Sequence, residues 1–431
     1  MKSRVQHSGT RLRAVSMALA LAIVLLSALA AAPSAQAQTY TVVYNFTGSP
    51  DGDVPSAGLI GDASGNLYST TWMGGNNRCE DGCGTIFKLD DTGKETVLYA
   101  FHGDAHGASP AAGLIWDAAG NLYGTTSGEW AEKPGTVFKL DNTGKETLLY
   151  AFTGGKDGSM PFAGLVRDAQ GNLYGTTAYG GASGCWANLG CGVVFKLDKT
   201  GKETVLHTFS GGNDGGNPMA TLVQDASGNL YGTTEIGGDL KCHILYGTHG
   251  CGPVFKLDKK GKETVLHKFG GKNDGKYPEA GLLPDSQGNF YGTTYYGGAY
   301  TGGTVFKLDA TGKETVLYSF GQGGDGDGAN PEAGLIMDAA GNLYGTTYKG
   351  GSDCSVMPCG TVFELDTTGK ETVLHVFEGS DGSWPEAGLL QDASGNLYGT
   401  TAEGGEGGSG CYSDKYGCGV VFKITLDRRK R

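Results

Sequence analysis

Three glutamates stand at the same position of a repeated motif. Glu279, Glu332 and Glu386 each follow the proline of an Asp-Gly-x-x-Pro loop, at spacings of 53 and 54 residues. Like charges held close together raise at least one pKa or recruit a cation, and either outcome equips them as acid, base or metal ligand. The other four copies carry Ser56, Ala111, Phe162 and Met219 there, so the motif itself does not require glutamate. The loop aspartates, Asp51, Asp157, Asp214, Asp274, Asp327 and Asp381, recur in six copies, with His106 in the seventh. Asp-Gly is turn chemistry, and its regular recurrence marks scaffold. Asp325 and Asp327 offer oxygens to a calcium ion, without the spacing of an EF-hand; no other cofactor is indicated. Aromatic side chains gather in the same variable loops: Trp72, Trp130, Trp186, Trp384 and Tyr296, with Tyr295 and Tyr348 among their neighbours. Amphipathic rings beside carboxylates suit sugars or peptides.

The elements that must position these groups follow from an internal repeat. The string GN(L/F)Y(G/S)TT occurs seven times, with its asparagine at Asn66, Asn121, Asn172, Asn229, Asn289, Asn342 and Asn396. Each copy runs in one order: an AGLI-like strand, an Asp-x-x-Gly-Asn turn, NLYGTT, a variable loop, GTVFKLD, an Asp-x-x-Gly-Lys turn, ETVLYAF, and a glycine-rich loop. Short runs of Val, Leu, Tyr, Phe and Thr between Gly/Asp/Asn turns are antiparallel strands. The sequence therefore predicts an all-β fold, a seven-bladed β-propeller with four strands per blade. The seventh copy ends after its third strand, and the missing ETVLYAF stands at the start as Tyr40–Phe46. A ring pairs these two edges, whereas an open solenoid leaves both exposed. A closed monomer is expected. The Asp-x-x-Gly turns fall on one face and the variable loops on the other, which makes the second face the place for a ligand.

The GNLYGTT, GTVFKLD and TGKETVLY blocks resemble those of the GloVer tandem-repeat proteins, exported bacterial proteins also called choice-of-anchor tandem-repeat proteins. The resemblance covers residues 39–425. It implies a propeller-like fold and no assigned activity. The family's name reflects varied C-terminal sorting segments, and nothing after Leu426 resembles one.

Ten cysteines lie two per loop in five of the copies: Cys79/Cys83, Cys185/Cys191, Cys242/Cys251, Cys354/Cys359 and Cys411/Cys418. Cysteines that come and go in pairs are bonded to each other, as suits an exported protein. Cys242, His243, His249 and Cys251 would also serve as a zinc set, but the four sister loops favour a disulfide. His207, His267 and His375 take the place of Tyr99, Tyr150 and Tyr318 and read as packing residues.

Residues 1–37 carry Lys2, Arg4, Arg11 and Arg13, then an apolar stretch ending in Ala35-Gln36-Ala37, the pattern of a cleaved secretory signal. The alternative is an uncleaved anchor, since about 18 apolar residues span a bilayer. Residues 38–426 form the propeller domain and 427–431 a basic tail. Removing the leader takes the formal charge from −12 to −16. Such an acidic surface disfavours nucleic acid and anionic lipid. No Gly-x-Ser-x-Gly elbow, zincin helix or Walker loop is present. The leading expectation is a secreted, non-catalytic module that binds polysaccharide or protein on its variable face. The alternatives are a propeller enzyme (lyase, lactonase or glycoside-active hydrolase) working through the three glutamates, and a purely structural particle.

Overall fold

The computed structural model describes residues 38–426, apart from 77, 80, 129–132, 186–188, 243–249, 323–325, 352–358, 407–410 and 412–415. Thr39–Thr425 make one compact unit; of the second unit, Met1–Gln38 with Leu426–Arg431, only Gln38 and Leu426 are described.

Seven antiparallel four-stranded sheets stand in a ring, forming a seven-bladed β-propeller. Blade 3 shows the plan: Val166–Arg167, Leu173–Thr177, Val193–Leu197 and Glu203–Thr208, innermost to outermost. The two middle strands are buried on both faces because neighbouring blades sandwich them. The third strand of blade 3 is buried at every position but Lys196, and its outer strand is only partly covered. The glycine of GTT is required by close packing. A Cβ on Gly175 would lie 2.7 Å from the ring of Phe195, its partner across the strand pair.

Three sets of contacts join the blades. The first threonine of each GTT donates its hydroxyl to an alanine carbonyl of the next blade, as in Thr125 to Ala163 and Thr233 to Ala280. Each outer strand ends in a buried phenylalanine set edge-on against the third-strand phenylalanine of the next blade, for example Phe152 on Phe195 at 5.1 Å. Glycines at the inner end pack on the carbonyl of the preceding blade's glycine, as Gly113 does on Gly58.

The same contacts close the ring. Gln38–Asn45 pairs with Val420–Leu426 as the outer strand of blade 7. Thr400 donates to Ala57, Phe46 packs on Phe87 at 5.0 Å, and Phe46 N–H donates to Gly419. The N-terminal strand completes the last blade, as its sequence predicts.

The innermost strands are shorter than the AGLI-like block implies. Only two residues pair in each, such as Ile60–Gly61. The Ala-Gly part of the block turns to its neighbours instead, giving the alanine carbonyl to the preceding blade's threonine and stacking its glycine on the adjacent one.

The Asp-x-x-Gly-Asn turns are self-contained. Asp117 accepts from Ala119 N–H, from the N–H and side-chain amide of Asn121, and from the Tyr123 hydroxyl. Burial alone would raise its pKa; these hydrogen bonds outweigh it and hold the carboxyl at about 2. A donor-filled carboxylate is scaffold.

Four of the five expected disulfides are formed among the described residues: Cys79–Cys83, Cys185–Cys191, Cys242–Cys251 and Cys411–Cys418. Cys242 and Cys251 are thus bonded to each other, not arranged as zinc ligands; His243 and His249 lie outside the described residues. The fifth pair includes Cys354, which also lies outside them. The described cysteines include no free thiol, and the bridges point to an oxidising compartment. No helix among the described residues is long and apolar enough to cross a membrane.

Candidate functional site

The residue before each of the seven prolines holds a left-handed backbone although it is not glycine. Val54, Ser109, Met160, Asn217, Tyr277, Asn330 and Trp384 have φ between 54° and 58°. That conformation is unusual for such side chains and persists only where the surroundings impose it. Here each residue's N–H is fixed by a loop carbonyl of the preceding blade: Val54 to Cys418, Ser109 to Cys83, Asn217 to Cys191, Tyr277 to Cys251, Trp384 to Cys359. The cysteine loops therefore position the strand entries of the neighbouring blade, a role beyond local stiffening. The next residue but one, after the proline, is part-exposed in every blade: Ser56, Ala111, Phe162, Met219, Glu279, Glu332 and Glu386.

The three glutamates are brought together. Each is only partly exposed. The pKa of Glu279 is pushed well above the ordinary carboxyl range by burial, by Glu332 and by Glu235. Burial lifts Glu332 to about 7, moderated by Lys349. Burial, Glu332 and Glu403 lift Glu386 to about 8. Carboxyls raised in this way hold their protons to higher pH, and a protonated carboxyl donates as well as accepts hydrogen bonds.

An aromatic arc runs beside them across blades 5, 6 and 7. Tyr277 meets Tyr296 at 6.1 Å, Tyr296 meets Tyr295 at 4.7 Å, Tyr295 meets Tyr348 at 6.4 Å, and Tyr348 meets Trp384 at 5.4 Å. Burial, together with the nearby glutamates, drives the Tyr295 and Tyr348 hydroxyls far above their usual pKa, so both remain donors. The indole N–H groups of Trp72 and Trp384 and one oxygen of Glu403 are buried without a hydrogen-bond partner. Each such unsatisfied group calls for a water or a ligand.

Trp384 and Tyr296 thus belong to this arc, Trp72 stands on blade 1, and Trp130 and Trp186 lie outside the described residues. Phe162 and Met219 occupy the same register on blades 3 and 4. Asp325 is outside the described residues as well. Asp327 accepts from the Tyr318 hydroxyl at 2.5 Å and Gly321 N–H at 2.8 Å, and it borders a pocket of about 260 Å³ lined by Tyr318, Gln322, Gly326 and Glu371.

Glu235, Lys349 and Glu403 escaped the sequence reading. Their signal was the residue or two just past GTT, which varies as freely as the residue after the proline.

Comparison with known proteins supports the architecture. Among curated proteins none matches the chain in sequence. In structure it is similar to the extracellular domain of a hybrid two component system from B. thetaiotaomicron (13% identity, TM-score 0.54, covering 89% of this chain and 39% of that one). It is also similar to a gluconolactonase from Xanthomonas campestris (15% identity, TM-score 0.40, 79% and 90% covered) and to a luciferin-regenerating enzyme (16%, 0.41, 73% and 90%). At 13% identity the first of these speaks for the fold alone, and the other two, with TM-scores below 0.5, carry no argument. The family model described as the Gloeobacter/Verrucomicrobia repeat matches residues 32–187 and 244–430. With seven copies of one repeat closed into a ring, and that model spanning most of its length, the chain belongs to the Gloeobacter/Verrucomicrobia repeat family.

Proposed function

We propose that the chain is an exported, non-catalytic binding protein that holds a polysaccharide at the mouth of its central channel, over blades 5 to 7. The observation that carries this reading is the five-ring arc from Tyr277 to Trp384 lying beside Glu279, Glu332 and Glu386. Ring faces suit the apolar C–H surfaces of a sugar, and half-protonated carboxyls offer both donors and acceptors to its hydroxyls. The acidic balance of the chain favours a neutral or cationic glycan over an anionic one. Export is supported by the leader sequence and the disulfides.

The test is a glycan panel read by calorimetry. Wild-type protein binds a neutral or amino sugar polymer, Trp384→Ala and Tyr348→Ala each weaken binding about tenfold or more, and Phe162→Ala has little effect. Binding unchanged in both aromatic variants, or absent from the panel, overturns the reading; capture of a protein ligand by the same arc would replace it.

A second reading rests on a different observation, the carboxyls that titrate near neutrality at Glu332 and Glu386. Such groups suit general acid–base catalysis of glycoside or lactone cleavage. Glutamine at positions 279, 332 and 386 separates the two readings: a binding module keeps its ligand, and an enzyme loses turnover.

A further inference from the structure

At the rim of the ring, far in the repeat from the channel mouth, each outer strand delivers a glutamate to the junction with the preceding blade. A bulge in the pairing of the third and fourth strands, as between Val254 and Phe255, adds to the twist that carries the outer strand sideways. The glutamate there meets the Asp-Gly aspartate and a tyrosine or histidine of the previous blade. At Glu95, Glu146, Glu203, Glu263, Glu314 and Glu371 one carboxylate oxygen is buried with no hydrogen-bond partner. The Glu146 side chain, in the same register, is 2% exposed.

Most junctions are closed by a direct hydrogen bond between the other two members. Tyr44 donates to Asp51 at 2.7 Å and Tyr150 to Asp157 at 3.0 Å; His375 Nε2 lies 2.8 Å from Asp381. The junctions at His207 and His267 differ: His207 Nε2 stands 3.7 Å from Asp214 Oδ2, and the gap is narrower between blades 4 and 5. His267 Nε2 stands 3.4 Å from Asp274 Oδ2 and, though buried, makes no hydrogen bond. Asp274 is held by the N–H groups of Gly270, Gly271 and Gly275. The donor atoms of His267, Asp274 and Glu314 all lie within 4.8 Å of one another.

We propose that His267, Asp274 and Glu314 bind a divalent transition-metal ion of the zinc class. Two ligands about 2.05 Å from a tetrahedral ion stand roughly 3.3 Å apart, which matches the gap at His267 and is too wide for a hydrogen bond of ordinary strength. One imidazole and two carboxylates neutralise a dication, and the imidazole selects zinc-class metals over calcium. The glycine N–H donors orient the aspartate as an outer shell does in metal sites. His267 and Asp274 are 20% and 12% exposed at the side chain, which leaves room for a water as fourth ligand. The ion would pin blade 4 to blade 5, a structural role separate from the channel mouth.

The test uses the full secreted chain, stripped with a chelator and titrated with Co²⁺. The expected result is one equivalent bound, with the visible absorption of tetrahedral cobalt, and a rise in Tm on adding Zn²⁺. His267→Tyr abolishes both; tyrosine already occupies this register at Tyr99, Tyr150 and Tyr318, so the variant folds. Glu314→Gln weakens binding at least tenfold, and His375→Tyr leaves it intact. Two equivalents falling to one in His267→Tyr also support the site and add the His207, Asp214 and Glu263 junction. No cobalt spectrum, or a bound stoichiometry that His267→Tyr leaves unchanged, overturns the proposal.

Discussion

Tyr40 lies flat against His375, with ring centroids 3.7 Å apart and planes 7° from parallel. One residue lies in the first strand and the other belongs to blade 6. Tyr40 holds the register that glutamate fills in the other six outer strands, and its hydroxyl donates to the Asp381 carbonyl at 2.6 Å. It also packs on Phe377 and Phe422. The last junction of the ring is thus sealed by stacked rings where the others carry a carboxylate.

Tyr40→Ala removes that seal. The expected loss is about 2–4 kcal/mol of unfolding free energy, the range for truncating a large packed side chain. Urea denaturation measures it, and an unchanged midpoint would show that the strand is dispensable. Deleting residues 38–46 goes further, leaving the edge of Val420–Leu426 unpaired and the protein prone to associate, as size-exclusion chromatography would register.

The threonine contacts between blades predict a graded series. Thr233→Val strands the Ala280 carbonyl, at an expected cost of about 1–3 kcal/mol. Thr400→Val strands Ala57 at the closure point and should cost as much. Equal losses at both positions mean that the closing junction is as tight as an internal one; a silent Thr400→Val means that it is not.

Stability should pass through a maximum on the acid side of neutrality. Hydrogen bonds hold Asp117 at about 2, below the unfolded value of about 3.9, and Asp62, Asp168, Asp225 and Asp285 are also lowered. Their contribution is fully present above about pH 4 and is lost as pH falls toward 2. Glu386 works in the opposite sense. Its folded pKa of about 8 exceeds the unfolded value of about 4.3, so a penalty sets in above pH 4.3 and is complete above 8. Glu332, at about 7, adds to it, as do Glu95 and Glu371 at the rim. Tm should fall from pH 5 to pH 9, and Glu386→Gln should flatten part of that fall. A slope identical to wild type would remove Glu386 from the account.

All ten cysteines should be paired. The intact mass of the native protein is then ten hydrogens below that of the reduced protein. Each bridge closes a short loop and contributes about 2 kcal/mol in the chain-entropy view. Because the cysteine carbonyls hold the strand entries of the next blade, reduction should also weaken ligand binding at the channel mouth. Intact binding after full reduction would separate the two.

Much of the fold was legible because its determinants are local. Asp117, Asn121 and Tyr123 build their turn within seven residues, and the displaced strand at Tyr40–Phe46 announces the closure by its own sequence. The three glutamates were legible as a departure from the repeat. What stayed hidden depends on twist. Nothing in the spacing of His267, Asp274 and Glu314 says that the start of one outer strand meets the end of the previous one. The short inner strands were hidden for a related reason, since their backbone groups go to neighbouring blades instead of to their own sheet. Glu235, Lys349 and Glu403 sit on the loop side of a strand end, where one residue decides between core and ligand face.

The seven left-handed residues before the prolines separate two kinds of inheritance. Because neighbouring loops clamp the backbone there, the side chain that follows each proline is presented at a fixed place whatever its chemistry, from Ser56 to Glu386. The ring thus works like a dial with seven settings. A substitution after one proline can reset that position without disturbing the others, so new specificities can be composed on one fold instead of evolved through new ones.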